Sequence, residues 1–257
     1  MSAFGLSEAY AGIELFEYAR KQGWLGRITD IFKKQHKILV LGSTGVGKTN
    51  LLQSLVEAVP QAISHMNRTE FAQQHKVHLR DNPFIFVDTP GQLLHVSRRR
   101  EAILEAMGGG ITGIINVVAY GYHEYRTDAG MALTPSGRVR NEFLAKHRQI
   151  ELEALAEWAP LLFPSDIRWM ITVVSKADLW WNQREAVYEH YTTGQYQTLL
   201  GELVTLAPSV LEYCSVLHKF YGLGPLAGTF DEDDRNRTRL KLVTALLEAV
   251  GKSELSG

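Results

Sequence analysis

The sequence predicts a three-layer α/β domain, a mainly parallel central sheet flanked by helices, and three observations carry that expectation. Continuous apolar runs of strand length recur: Ile38-Leu39-Val40-Leu41, Phe84-Ile85-Phe86-Val87, Ile111 to Ala119 and Trp169-Met170-Ile171-Thr172-Val173-Val174. Strands covered on both faces need runs of this kind. Amphipathic stretches separate them, above all Asn141 to Trp158, so strand and helix alternate as they do around parallel sheets. Finally, the first run passes through a glycine-rich octapeptide straight into Leu51, Leu52, Leu55 and Val56, the apolar positions of a helix.

That octapeptide, Gly42-Ser43-Thr44-Gly45-Val46-Gly47-Lys48-Thr49, reads as a phosphate-binding loop in the setting such a loop requires. A buried strand ends, a turn wraps an anion, and a helix begins with its amides pointing back. Glycine at 42, 45 and 47 lets successive N–H groups converge on phosphate oxygens. Lys48 supplies a point charge to the outer phosphates. The Thr49 hydroxyl, with Asn50 beside it, stands where a Mg2+ ion bridging two phosphates takes a ligand. The architecture expected is therefore the P-loop NTPase fold. The run ending at Val87 delivers Asp88-Thr89-Pro90-Gly91-Gln92 at the same sheet edge, where Asp88 can hold Mg2+ directly or through water. Pro90-Gly91 breaks the strand and lets an amide approach a terminal phosphate, so that hydrolysis releases the segment after Gly91 and works a switch.

At 257 residues the chain can bury a large core and suits one enlarged domain. Apolar residues at 45% and charged residues at 21% are ordinary globular values. A formal charge of −1 gives no general reason to bind nucleic acid, and no such partner is expected. The single cysteine, Cys214, excludes an internal disulfide and fits a reducing compartment. With no basic and hydrophobic leader at the start and no apolar stretch of about 20 residues, a cytoplasmic location is expected.

Residues 1–35 read as an amphipathic N-terminal helical extension, with Ile13, Phe16, Ala19, Trp24, Ile28, Ile31 and Phe32 spaced by threes and fours and interrupted near Gly23 and Gly26. The stripe either packs on the domain's own surface or lies on a membrane, with Lys33, Lys34, His36 and Lys37 near phosphate headgroups. Residues 36–257 form the domain proper, with insertions near 120–140 and 180–207. Pro60 ends the helix after the phosphate loop, 61–70 is a connector, and Phe71 to Leu79 reads as hairpin ahead of the Asp81-Asn82-Pro83 turn. Tyr120 to Arg140 is longer than a compact connection needs and is expected to be a partner surface or lid. His123, Tyr125 and Arg126 within it lack metal-ligand spacing. Trp180 to Leu206 holds one or two further helices, and the stripe Leu240 to Val250 closes the fold. Arg98-Arg99-Arg100 is either a solvated basic turn, a contact for an acidic partner, or the source of one arginine stabilising transition-state charge in cis.

With these motifs together, the chain resembles a Ras-like small GTPase of the translation-factor-related P-loop class. The resemblance implies that Gln92 orients the attacking water, with a surface position in a mobile loop as its alternative, so that Gln92 and Lys48 carry catalysis. It implies a switch threonine completing the Mg2+ shell with Thr49 and Asp88. Thr69, just ahead of Phe71, is placed for it, and Ser64 is the other candidate in the connector. After Trp169 to Val174, the segment Ser175-Lys176-Ala177-Asp178 matches the base-reading motif. Asp178 would accept two hydrogen bonds from the guanine ring nitrogen and exocyclic amine, and Lys176 would cover the ring. A helix cap before Leu179 is the plainer role for Asp178. Ser175 stands where the family has asparagine or threonine.

Val210 to Tyr213 reads as a short strand ending in Cys214-Ser215-Val216, similar to the loop whose backbone amide touches the guanine oxygen. Ser215 would give that amide, and a buried core thiol is the alternative for Cys214. The function implied is binding of GTP and GDP with Mg2+ and slow hydrolysis of GTP in a conformational switch. It would meet an effector or activator through its switch regions and the 120–140 insertion. Thr44, a glycine in the founding Ras members, would crowd an inserted arginine. A GTP-binding recruitment module with little hydrolysis and an ATP-using P-loop NTPase are the competing readings.

Overall fold

The computed structural model describes residues 35–56, 84–88, 96–124, 129–162, 167–203, 209–223 and 229–255. Its strands are β1 (His36–Leu41), β2 (Phe84–Asp88), β3 (Ile111–Val118), β4 (Trp169–Val174) and β5 (Val210–Glu212). They form one sheet in the order β2-β1-β3-β4-β5, and each described pairing is parallel. Parallel pairing sends the carboxyl ends to one edge. The register aligns Val40 with both Asp88 and Ile115, Val118 with Val174, and Val174 with Glu212. The strand order reverses about β1, which opens a crevice between the segments that leave β1 and β3, where ligands of open α/β sheets bind.

Helices cover both faces. They are α1 (48–56), α2 (Val96–Gly108), the short α3 (Ala129–Ala132), α4 (Asn141–Trp158), the short α5 (Ala177–Trp180), α6 (Arg184–Thr192), α7 (Gln195–Leu203) and α8 (Glu232–Leu255). Side-chain alternation along the strands sorts the core into two layers. Leu39, Leu41, Ile114, Val118, Met170 and Val174 pack with Leu152, Leu155 and Trp158 of α4, Tyr191 of α6 and Tyr196 of α7. Ile38, Val40, Ile115, Val117, Ile171 and Val173 face the other way, onto Leu51 and Leu55 of α1 and Leu242, Leu246 and Val250 of α8. This is the three-layer arrangement that the unbroken apolar runs demand.

Three expectations change in detail. The run at 84–87 does not form a strand buried throughout. Phe84 is buried, but Ile85, Phe86 and Val87 are half-buried, and among the described residues β2 pairs with β1 alone. The last helix starts well before its apolar stripe. Asp231 and Asp234 cap it reciprocally, the Asp234 amide donating to Asp231 Oδ1 at 2.8 Å and the Asp231 amide to Asp234 Oδ2 at 3.4 Å. The third strand stops at Val118, leaving Ala119 to open the site loop. The N-terminal stripe, Pro60, Ser64, Thr69, the hairpin at Phe71 to Leu79 and the segment 89–95 lie outside the described residues.

Close approach is most severe at Gly113, the register partner of Trp169. A Cβ there would stand 2.0 Å from the indole ring. Gly113→Ala should therefore lower stability by about 1–3 kcal/mol, the usual cost of overpacking. Urea unfolding with an unchanged m-value would measure it.

Candidate nucleotide-binding site

The loop leaving β1 has the cradle shape its glycines anticipate. Gly42, at φ 144°, would put a Cβ 2.4 Å from the Val117 carbonyl oxygen, and Gly45, at φ 80°, would put one 3.0 Å from the backbone of Glu124. Neither position accommodates a side chain, so the loop lies against the backbone that leaves β3. Val46 is buried and anchors it, and α1 begins with the Leu51 amide donating to Gly47 at 3.0 Å. Lys48 is buried and turns back over the loop, its Nζ donating to the carbonyls of Gly42 at 2.7 Å and Ser43 at 3.2 Å. Among the described residues the buried hydroxyls of Ser43 and Thr44 find no hydrogen-bond partner. Converging amides, a lysine and two orphaned hydroxyls suit phosphate oxygens. Thr49 and Asn50 are exposed on the first turn of α1.

Asp88 ends β2 in register with Val40, two residues before the loop, which brings its backbone to the cradle's edge. Gly91, Gln92 and Thr69 lie outside the described residues.

The Ser175–Asp178 segment leaves β4 and meets the same loop. Ser175 directs its hydroxyl at the Val46 carbonyl at 2.5 Å and the Val118 carbonyl at 3.0 Å, and its amide donates to Val118 at 2.8 Å. Serine in place of asparagine thus still ties the two motifs together. Lys176 adopts a left-handed backbone, φ 56°, and its Nζ donates to the Tyr122 carbonyl at 2.7 Å. Its Cε would lie 3.9 Å from a Cβ on Gly47, so the stem runs beside the phosphate loop. Burial pushes the ammonium down from 10.5 to about 8, against Glu124, Asp178 and Glu151, which pull it upward.

Asp178 is fully buried at the start of α5. Among the described residues its side chain caps no helix; both oxygens are spent elsewhere. Oδ1 accepts from His218 Nδ1 at 2.8 Å and from the Cys214 thiol at 3.3 Å, and Oδ2 accepts from the His218 amide. Burial alone would raise this carboxyl, but the His218 ring and amide outweigh it and hold it below its ordinary range. Burial and then Asp178 push the Cys214 thiol well up, so it is a proton donor and not a thiolate. The Cys214 amide donates to Thr238 Oγ1 at 3.3 Å, which ties the end of β5 to α8. Ser215 is half-buried beside it and Val216 is exposed.

Asp178, Cys214 and His218 bring ligand atoms within 4.8 Å of one another. A tetrahedral zinc ion holds nitrogen and oxygen ligands about 3.3 Å apart at its usual bond lengths. The 2.8 Å between Nδ1 and Oδ1 is instead a hydrogen bond.

Sequence reasoning missed the support of the loop at 119–124. Glu151 of α4 is buried and accepts from the amides of Ala119 at 2.8 Å and Gly121 at 3.4 Å, from His123 Nε2 at 2.9 Å and from Tyr191 Oη at 2.6 Å. Burial pushes this carboxyl up, yet those donors outweigh it and hold it below its usual range. The loop so held supplies the Tyr122 carbonyl to Lys176 and the Glu124 backbone to Gly45. A signal existed: Glu151 lies on the stripe of Leu144, His147, Leu155 and Trp158, the apolar face of its own helix. His123, which lacks metal-ligand spacing in the sequence, is one of the donors. Tyr125 and Arg126 are outside the described residues, and Arg100 is exposed on α2.

A glycine-rich cradle between strand and helix, on the carboxyl edge of a parallel α/β sheet, defines a domain of P-loop NTPase fold. Residues 37–136, which include the cradle, match the family model described as 50S ribosome-binding GTPase. No curated protein matches the chain. Two of the solved structures that resemble it illustrate the likeness. One is the signal recognition particle receptor SRb with GDP from Chaetomium thermophilum, 14% identical at a TM-score of 0.36, covering 71% of this chain and 92% of that one. The other is an ADP-ribosylation-factor-like GTP-binding protein, a small COPII coat GTPase, from Encephalitozoon cuniculi with GDP, 16% identical at 0.38 and covering 95% of each chain.

The Lys176 shift has a signed consequence. Its folded-state value lies below the unfolded one, so between about 8 and 10.5 the folded protein binds fewer protons and gains stability as pH rises. Relative to Lys176→Met, the parent should gain up to about 3 kcal/mol across that window. Urea titrations of both proteins at its two ends measure the difference, and parallel pH profiles would refute it.

Proposed function

We propose that the chain is a GTP- and GDP-binding protein that hydrolyses GTP slowly and changes conformation with the nucleotide, in the translation-factor-related class. One observation carries this reading: the Ser175 hydroxyl reaches the Val46 carbonyl at 2.5 Å, so a phosphate cradle and a Ser-Lys-Ala-Asp segment abut, as one purine nucleotide spanning both requires. Lys48, the amides of residues 43–49 and the two orphaned hydroxyls would take the phosphates. Thr49 with Asp88 and Thr69 would hold Mg2+, which when bound neutralises charge between the outer phosphates. Lys176 would cover the base and Asp178 read its edge. Gln92 would orient water, and the 120–140 segment, with Met131 exposed, would meet an effector or activator.

Two measurements test this. A fluorescent guanine nucleotide should be displaced by GTP or GDP at least tenfold better than by ATP, and Asp178→Asn should move preference toward xanthine nucleotides; equal displacement by ATP and GTP defeats the guanine assignment. Gln92→Leu should slow multiple-turnover phosphate release by a factor on the order of 100, the cost of misplacing a reacting group. Release at background in both proteins favours a recruitment module without useful hydrolysis.

A further inference from the structure

We propose that His218 is a latch on the base pocket: it occupies the acceptor positions that a guanine edge would use, and nucleotide binding displaces it. This rests on the guanine reading above and deepens it. Guanine presents two neighbouring donors, a ring N–H and an amine, to the two oxygens of a carboxylate. His218 presents two donors from a single residue, its ring Nδ1 to Oδ1 at 2.8 Å and its backbone amide to Oδ2. With Asp178 fully buried, no further face of the carboxylate is available to water or base. Base and latch therefore exclude one another.

The latch can move at small cost to the core. Residues 215–219 bridge Cys214 and Phe220, both fully buried, and between those anchors Val216 is 47% and Leu217 45% exposed. Phe220 is held by edge contacts with Tyr122 and Phe143, and the chain turns beyond it through positive φ at Tyr221 and Gly222. The Cys214 thiol, 3.3 Å from Oδ1, sits where β5 ends and can keep its bond when His218 leaves. A pocket open for only part of the time binds with an affinity reduced by that fraction. His218 accordingly sets how tightly and how fast the nucleotide enters.

The test uses the full chain, a fluorescent GDP and two variants. His218→Ala removes the ring donor and should tighten GDP binding about tenfold, mostly through faster association, since a hydrogen bond to a charged group is worth at least one decade. His218→Gln, whose side-chain amide can still donate to Asp178, should tighten it less. Unchanged or weakened binding by folded His218→Ala overturns the latch, weakening meaning that His218 helps to hold the base. In the parent, the His218 ring-nitrogen resonances should shift on adding GDP, and an unmoved His218 signal in the GDP-bound protein likewise overturns the proposal. Failure of both parent and variant to bind guanine nucleotides while ATP binds would instead remove the guanine reading, and the latch with it.

Discussion

The site depends on one hydroxyl proton. Ser175 stands between the carbonyl of Val46, in the phosphate loop, and that of Val118, at the end of β3, at 2.5 and 3.0 Å. Those carbonyls belong to segments leaving neighbouring strands, and Ser175 itself leaves the next strand across. A single buried donor thus joins the ends of β1, β3 and β4. Left unmade, it would strand the Val46 carbonyl at about 1–3 kcal/mol, whereas the Val118 carbonyl keeps the Ser175 amide at 2.8 Å, so it is the phosphate loop that this hydroxyl holds in place. The cradle's backbone shape, which Gly42 and Gly45 permit, is only useful because this contact fixes where the loop sits.

Dryness then shapes the electrostatics. Lys48, Lys176, Glu151 and Asp178 are all buried, and a buried charge is tolerated only where polar partners surround it. Glu151 meets that condition with four donors and Lys176 with the Tyr122 carbonyl that Glu151's loop presents. The two charges are coupled through backbone: anchoring residues 119–123 from below is what places an acceptor above Lys176. A carboxylate with no role in the chemistry is in this way a positioning group for one expected to touch the base.

Much of this could be read from residues alone, and the exceptions have physical causes. The strands announced themselves because a sheet covered on both faces favours apolar runs, with Asn116 and Thr172 as buried polar exceptions. The phosphate loop was legible because its function resides in backbone shape, which glycine spacing encodes. Glu151 and His218 were not legible, because their roles come from contacts with residues 30 and 40 positions away in the chain. The burial of the Cys214 thiol matches the core alternative read from the sequence, while the partner of its amide, Thr238 of a distant helix, was hidden for the same reason. The start of α8 was legible in Asp231 and Asp234, but only to a reader who weighs capping above the apolar stripe.

Both ends of the cleft satisfy themselves with the chain's own groups. At one end a cation, Lys48, rests on carbonyls; at the other an anion, Asp178, rests on N–H and S–H donors. This follows from burial, since neither charge can wait bare in a dry cleft for a ligand. Ligand binding at such a site is an exchange of partners rather than an addition of bonds. The net gain per contact is then the difference between two hydrogen bonds of similar strength, which is small. The two ends differ in how the old partner leaves. Lys48 need only turn its flexible stem, whereas Asp178 is released only when a backbone segment moves, because one of its donors is an amide. With the nucleotide site and latch proposed above, the phosphate end would accept ligand at once, the base end would answer at the pace of a loop, and discrimination between nucleotides would fall to the slower of the two.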